Sequence, residues 1–141
     1  MNETKSPRLA SVDVPGWPAP KGYANGVIAS GRTLYVAGQV GWNEKHEFLS
    51  DDLAEQFGAA LDNVLAVVRA AGAAPTDVAR MLVYVTDLDA YRGAQKRLGQ
   101  IWRERFGRHY PAMALVGVTG LVEAKAKVEI EAIAALPEVD G

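Results

Sequence analysis

Ala112-Met113-Ala114-Leu115-Val116-Gly117-Val118 carries no charged or polar side chain. Strand alternation puts Ala112, Ala114, Val116 and Val118 on one face and Met113, Leu115 and Gly117 on the other. A strand that is apolar on both faces expects cover on both. Arg80-Met81-Leu82-Val83-Tyr84-Val85-Thr86, rich in β-branched and aromatic residues, reads as a second buried strand. These two runs predict a sheet covered on two sides, and the rest of the chain must supply that cover.

Before and between them lie two helical stripes. Leu53, Phe57, Leu61, Val64 and Val68 recur at spacings of three and four, which predicts a helix over 52–71. Ser50, Asp51 and Asp52 offer capping oxygens at its start, and Gly72 offers a stop. Tyr91, Ala94, Leu98, Ile101, Trp102 and Phe106 predict a second helix over 89–106, capped by Asp87 or Asp89 and ended by Gly107. Tyr23 to Ser30 and Thr33 to Val40 read as strands joined at Gly31-Arg32 in a hairpin. Lys127 to Ala135 reads as the last strand. The order is β-β-α-β-α-β-β, an α+β domain with both helices on one sheet face. Helices then cover one face only. The other expects a second copy of the chain, because large exposed apolar patches are rare on monomers. The pattern predicts a closed homo-oligomer.

The chain has 141 residues, the size of one domain, so 1–141 is read as a single unit. Residues 1–19 read as an irregular arm, since Pro7, Pro15, Pro18 and the following Pro20 suit neither a helix nor a central strand. Trp17 is expected to pin that arm to the body. With 15 Lys and Arg against 17 Asp and Glu the net charge is −2, which argues against a dedicated nucleic-acid binder. Cysteine is absent and only His46 and His109 are present, so thiolate chemistry and a His-rich metal centre within one chain are excluded. Neither a phosphate-binding P-loop nor G-x-G-x-x-G occurs, which leaves no support for a nucleotide. No secretory or membrane-spanning run is evident, and the expected location is the cytoplasm.

The candidate chemistry is sparse. Glu129 and Glu131 share a strand face with Ile133. A partly buried carboxylate there could serve as an acid or base, whereas Lys127, Glu129 and Glu131 could equally form an exposed polar stripe. Gly38-Gln39-Val40-Gly41 ends a strand where a ligand could approach the backbone closely. Trp42 follows at once, and either walls a pocket or packs in the core. Arg92, Lys96, Arg97, Arg103, Arg105 and Arg108 form a basic cluster, read either as a solvated face or as an RNA contact lacking interleaved aromatic platforms.

Seven short motifs, taken in order, add a family resemblance. They are Ala19-Pro20-Lys21-Gly22-Tyr23, Thr33-Leu34-Tyr35-Val36-Ala37-Gly38-Gln39, Leu61-Asp62-Asn63-Val64, Ala71-Gly72, Val83-Tyr84-Val85-Thr86-Asp87, Tyr110-Pro111-Ala112 and Val128-Glu129-Ile130-Glu131-Ala132-Ile133-Ala134. In this order and spacing the chain resembles the Rid (YjgF-like) family of enamine/imine deaminases. The resemblance implies a chorismate-mutase-like homotrimer with a central barrel and ligand clefts between subunits. It implies that Glu129 positions or activates the water that attacks a C=N carbon. Tyr23 of a neighbouring subunit would close the cleft, and Gly38, Gln39, Trp42, Gln95, Met113 and Ala114 would line it. No metal or organic cofactor is implied, and the expected partner is a small-molecule substrate.

This sequence departs from the family pattern at three places. Met113 stands where the best-known deaminases carry a carboxylate-binding Arg, Gln95 stands for an Asn, and Ala24 for a Ser. A thioether cannot replace an Arg fork. The expected substrate is therefore an imine or enamine that does not rely on that carboxylate anchor. Two other readings stand beside it: a non-catalytic small-molecule-binding trimer and an endoribonuclease.

Overall fold

The computed structural model describes residues 5–139. Six strands appear: β1 (Leu9–Val12), β2 (Gly26–Ala29), β3 (Arg32–Val40), β4 (Val78–Val85), β5 (Ala112–Gly117) and β6 (Val128–Leu136). Three helices intervene: α1 (Leu53–Ala70), α2 (Leu88–Gly93) and α3 (Gln95–Phe106).

The main sheet has the order β3-β6-β4-β5, with β4 and β5 parallel and the other pairs antiparallel. α1 lies against β3 and β6, and α3 packs on α1. The core forms between this helical layer and one sheet face. Leu61, Val64 and Val68 of α1 and Met81, Val83, Val85, Val128 and Ile130 of the strands are fully buried there. Burying one such side chain contributes roughly 1.5–3 kcal/mol. The expected α+β layering with helices on one face is thus the observed one.

α1 follows its sequence signals closely. The Asp52 carboxylate accepts from the Glu55 N–H at 3.0 Å, and Gly72 adopts φ +87° just beyond the helix. Gln56, unremarkable in sequence, is 1% exposed. Its side-chain amide donates to the Ser50 and Lys125 carbonyls at 2.9 and 3.0 Å, and its oxygen accepts from the Lys127 N–H at 2.8 Å. A buried amide with three bonds ties the start of α1 to the chain entering β6.

Three local expectations are corrected. The hairpin across Gly31-Arg32 does not form: β2 pairs with β1, and β3 pairs with β6. Gly31 does need its glycine, with φ +105° and the Leu136 carbonyl 2.0 Å from where a Cβ would stand. The single helix over 89–106 is broken at Ala94 into α2 and α3. Gly93 is a poor helix former, and the break lets α3 bury Leu98, Trp102 and Phe106 while α2 buries none of its residues. The 1–19 arm is not irregular throughout, because Leu9–Val12 is a strand, and Trp17 is 61% exposed rather than an anchor. Residues 1–4 of that arm lie outside the described residues.

What anchors the arm is polar. The buried Asp77 carboxylate accepts from Ser6 Oγ at 2.5 Å, from Arg8 Nη2 at 2.8 Å and from the Ala74 N–H at 2.8 Å. Asp77→Asn replaces one acceptor by a donor facing these donors. The expected loss is about 2 kcal/mol, read as a lower urea midpoint, with hydrogen-exchange protection of Leu9–Val12 falling first. An unchanged midpoint would remove Asp77 as the clasp.

Candidate active site

Strand registers decide where each candidate points. Met113 pairs with Met81, which pairs with Ala132, and all three face the helices. Val116 pairs with Tyr84, which pairs with Glu129 on the opposite, open face. Ala114 joins Leu82 and Glu131 on that open face. One copy of the chain therefore divides the candidates between two faces of one sheet.

On the open face, Glu129 lies across Gly38. A Cβ on Gly38 would stand 2.7 Å from Glu129 Oε2 and 2.9 Å from its Cδ. Among the described residues the Glu129 carboxylate makes no hydrogen bond or ion pair. Its neighbour Glu131 is engaged: the Tyr84 hydroxyl donates to Glu131 Oε1. That bond, with partial burial and the nearby Glu131 and Glu129 charges, holds the Tyr84 phenol above the ordinary tyrosine value, against a smaller opposing pull from Arg80. The phenol thus stays protonated at neutral pH and remains a donor. Of two carboxylates two residues apart, one is occupied and one is available. Nothing in the alternation of the sequence distinguished them.

On the helix side, Tyr23, Gln95, Met113 and Leu115 line a cleft of about 430 Å³, together with Tyr91 and Tyr110. That volume suits a small ligand. Trp102 stacks with Phe106 and with Tyr110, at ring separations of 4.2 and 5.8 Å, and borders the same cleft. Lys21 and Arg103 also reach it, a placement that nothing in the spacing of the sequence signals. A larger cleft of about 770 Å³ runs between the arm and Arg108–Tyr110, and shares only Tyr23 with the candidate set.

The remaining candidates sit apart. Gln39 Nε2 donates to the Ala37 carbonyl at 3.1 Å. Trp42 stacks on His46 at 3.9 Å and leans on Phe48, and Asn63 Nδ2 donates to the Val40 and Trp42 carbonyls at 2.9 and 2.8 Å. Trp42 thus belongs to its own loop, clamped to α1. Of the basic cluster, Arg97 meets Asp52 at 2.8 Å and Arg105 meets Asp62 at 2.7 Å, tying α3 to α1. Those two cations are held by the fold. Among the described residues no three His, Asp or Glu side chains gather to hold a metal, and no helix is long and apolar enough to cross a membrane.

Comparison with known proteins gives this geometry a context. A family model described as Endoribonuclease L-PSP matches residues 17–136. A Dermatophagoides farinae protein named 2-iminobutanoate/2-iminopropanoate deaminase is 29% identical over 123 residues, covering 86% of this chain and 92% of that one. Among solved structures, a Rid-family protein of Yersinia pestis superposes with TM-score 0.82 at 32% identity, over 92% of this chain and 99% of that chain. The Escherichia coli protein TdcF, solved with bound serine, superposes with TM-score 0.66 at 30% identity, over 90% of this chain and 98% of that chain. With the match running from the arm to the end of β6, this chain belongs to the Endoribonuclease L-PSP family, the family that also carries the YjgF and Rid names.

Proposed function

We propose that this protein hydrolyses reactive imines or enamines to a carbonyl compound and ammonia, with Glu129 of one copy facing the Met113 cleft of another in a closed homotrimer. The observation that carries the reading is the available Glu129 carboxylate over Gly38, beside a Glu131 held by Tyr84. The deaminase name of the mite relative and the serine held by TdcF support a small amino- or imino-acid-like substrate.

The chemistry needs little from the protein. Glu129 accepts a proton from water as the water oxygen bonds to the C=N carbon. The nitrogen is protonated, the carbinolamine forms, and the C–N bond breaks to release ammonia while the hydroxyl loses its proton to leave C=O. An enamine enters the same route after protonation at carbon. Imine plus water gives carbonyl plus ammonia, with no redox step.

The sheet supports the two-copy arrangement. Glu129 and Met113 lie on opposite faces, so one chain cannot bring them to one substrate. The open face also carries Tyr35 at 75% exposure and Val116 at 43%, an apolar surface suited to cover by further copies.

The test mixes two defective proteins. Glu129→Gln keeps the cleft, and Met113→Trp fills it. Each alone is expected to be inactive on oxidase-generated imines of leucine and phenylalanine, followed by semicarbazone trapping. Co-expressed, they are expected to regain activity, because some sites then pair an intact carboxylate with an intact cleft. Activity that never reappears in mixed oligomers counts against the shared site. Tight binding of a 2-oxo acid by wild-type protein that turns over no imine would favour the non-catalytic reading, which Met113 motivates.

A further inference from the structure

β5 of this chain presents no cation to the cleft, since its cleft-facing side chains are Met113 and Leu115. Several other arginines of the chain are committed elsewhere. Arg32 Nε donates to the Pro137 carbonyl at 2.8 Å. Arg92 pairs with Asp89 at 3.5 Å and does not line the cleft. Arg97 and Arg105 bridge α3 to α1.

Arg103 differs from all of these. Its side chain lines the cleft, and among the described residues it forms no ion pair or side-chain hydrogen bond. One helical turn earlier stands Gly99, also in the cleft wall. A Cβ at Gly99 would come 3.3 Å from Arg103 Nη1. The guanidinium therefore lies back over a position that carries no side chain. Glycine is a poor choice inside a helix unless space is needed, and here the space is taken by the arginine head. Lys21 adds a second positive charge to the same cleft. Apart from the Gln95 amide and the glycines, the rest of the wall is apolar or aromatic, with Met113, Leu115, Leu98, Tyr91 and Trp102.

We infer that Arg103, seated over Gly99 on α3, is the carboxylate anchor of this cleft, which therefore takes 2-imino or 2-oxo acids with bulky apolar side chains. This deepens the deaminase reading and rests on it for the imino substrate, though not for acid binding itself. Arginine offers a planar fork that can meet both carboxylate oxygens. An anchor on α3 leaves Met113 on β5 free to contact the substrate's apolar side chain. The cleft would favour branched or aromatic acids over the smallest ones for that reason.

The experiment titrates the intact oligomer with phenylpyruvate and with its uncharged methyl ester, by calorimetry. Arg103→Gln is expected to weaken phenylpyruvate binding about 10-fold or more, and to leave ester binding within a factor of two or so. Arg92→Gln, outside the cleft, is expected to change neither, and Arg103→Lys to fall between. Phenylpyruvate binding that is absent in wild type, or equal in wild type and Arg103→Gln, overturns the anchor. Arg103-dependent binding with no imine hydrolysis would keep the anchor and remove the deaminase reading. Imine hydrolysis with a KM indifferent to Arg103 would do the reverse.

Discussion

Glu129→Gln is expected to lower imine hydrolysis about 100- to 10,000-fold, the usual range for loss of a positioned general base. The fold should not notice. Among the described residues the carboxylate makes no hydrogen bond or ion pair, and it stands on the open face rather than in the core. Glutamine matches its size but cannot take the proton of a water at neutral pH. The urea midpoint should therefore stay where it is while kcat falls and substrate KM changes little. Initial rates by semicarbazone trapping, set beside the denaturation curve, check both halves. A rate within a few-fold of wild type would end the assignment of Glu129 as the base.

Gly38→Ala should approach that loss without touching any titratable group. Gly38 does not adopt a positive φ, so its backbone accepts alanine. The methyl, however, would come within 2.7, 2.9 and 3.1 Å of Glu129 Oε2, Cδ and Cγ. These contacts are too short to persist, and the flexible carboxylate must move off. A displacement on the order of 1 Å at a catalytic group can cost about 100-fold, and that is the expected fall in kcat. Stability should drop little, because the atoms that yield are the end of a partly exposed side chain. A telling control is the double variant: once Glu129→Gln is present, adding Gly38→Ala should cost almost nothing more. Multiplicative losses in the double variant would mean that Gly38 acts through its own backbone instead.

The sequence was most legible where structure is local. The apolar stripe of α1, its Asp52 cap and its Gly72 stop lie within a few residues of one another, and all three hold. The doubly apolar reading of β4 and β5 also marks two neighbouring strands of the main sheet. Strand partnership was less legible, since β3 chooses β6 almost a hundred residues away rather than β2 next door. A two-residue connection permits a hairpin but cannot require one when a longer, more apolar partner competes. The break at Ala94 was hidden because the stripe Tyr91, Ala94, Leu98, Ile101 continues through it in register, and only Gly93 hinted at it.

The candidate site shows the same division. Strand alternation correctly set Glu129 and Glu131 together on one face, whereas the shared cleft of Met113 and Tyr23 within one chain follows from no spacing rule. That Glu131 is held and Glu129 available depends on Tyr84, a residue from another strand whose hydroxyl no spacing rule could aim. That Arg103 reaches the cleft depends on how α3 is seated, with the guanidinium lying over Gly99. The basic cluster looked uniform in sequence, but in space Arg97 and Arg105 bridge α3 to α1 while Arg103 lines the cleft.

Gln56 carries a consequence for error tolerance. It grips Lys125 and Lys127, the residues that lead into β6, from a rigid helix. Sliding β6 by a single residue would send both glutamates into the oily interior and turn Val128 and Ile130 outward. A buried amide far from the reaction thus works as a ratchet pawl, stopping the one-residue slip that would turn the acids inward.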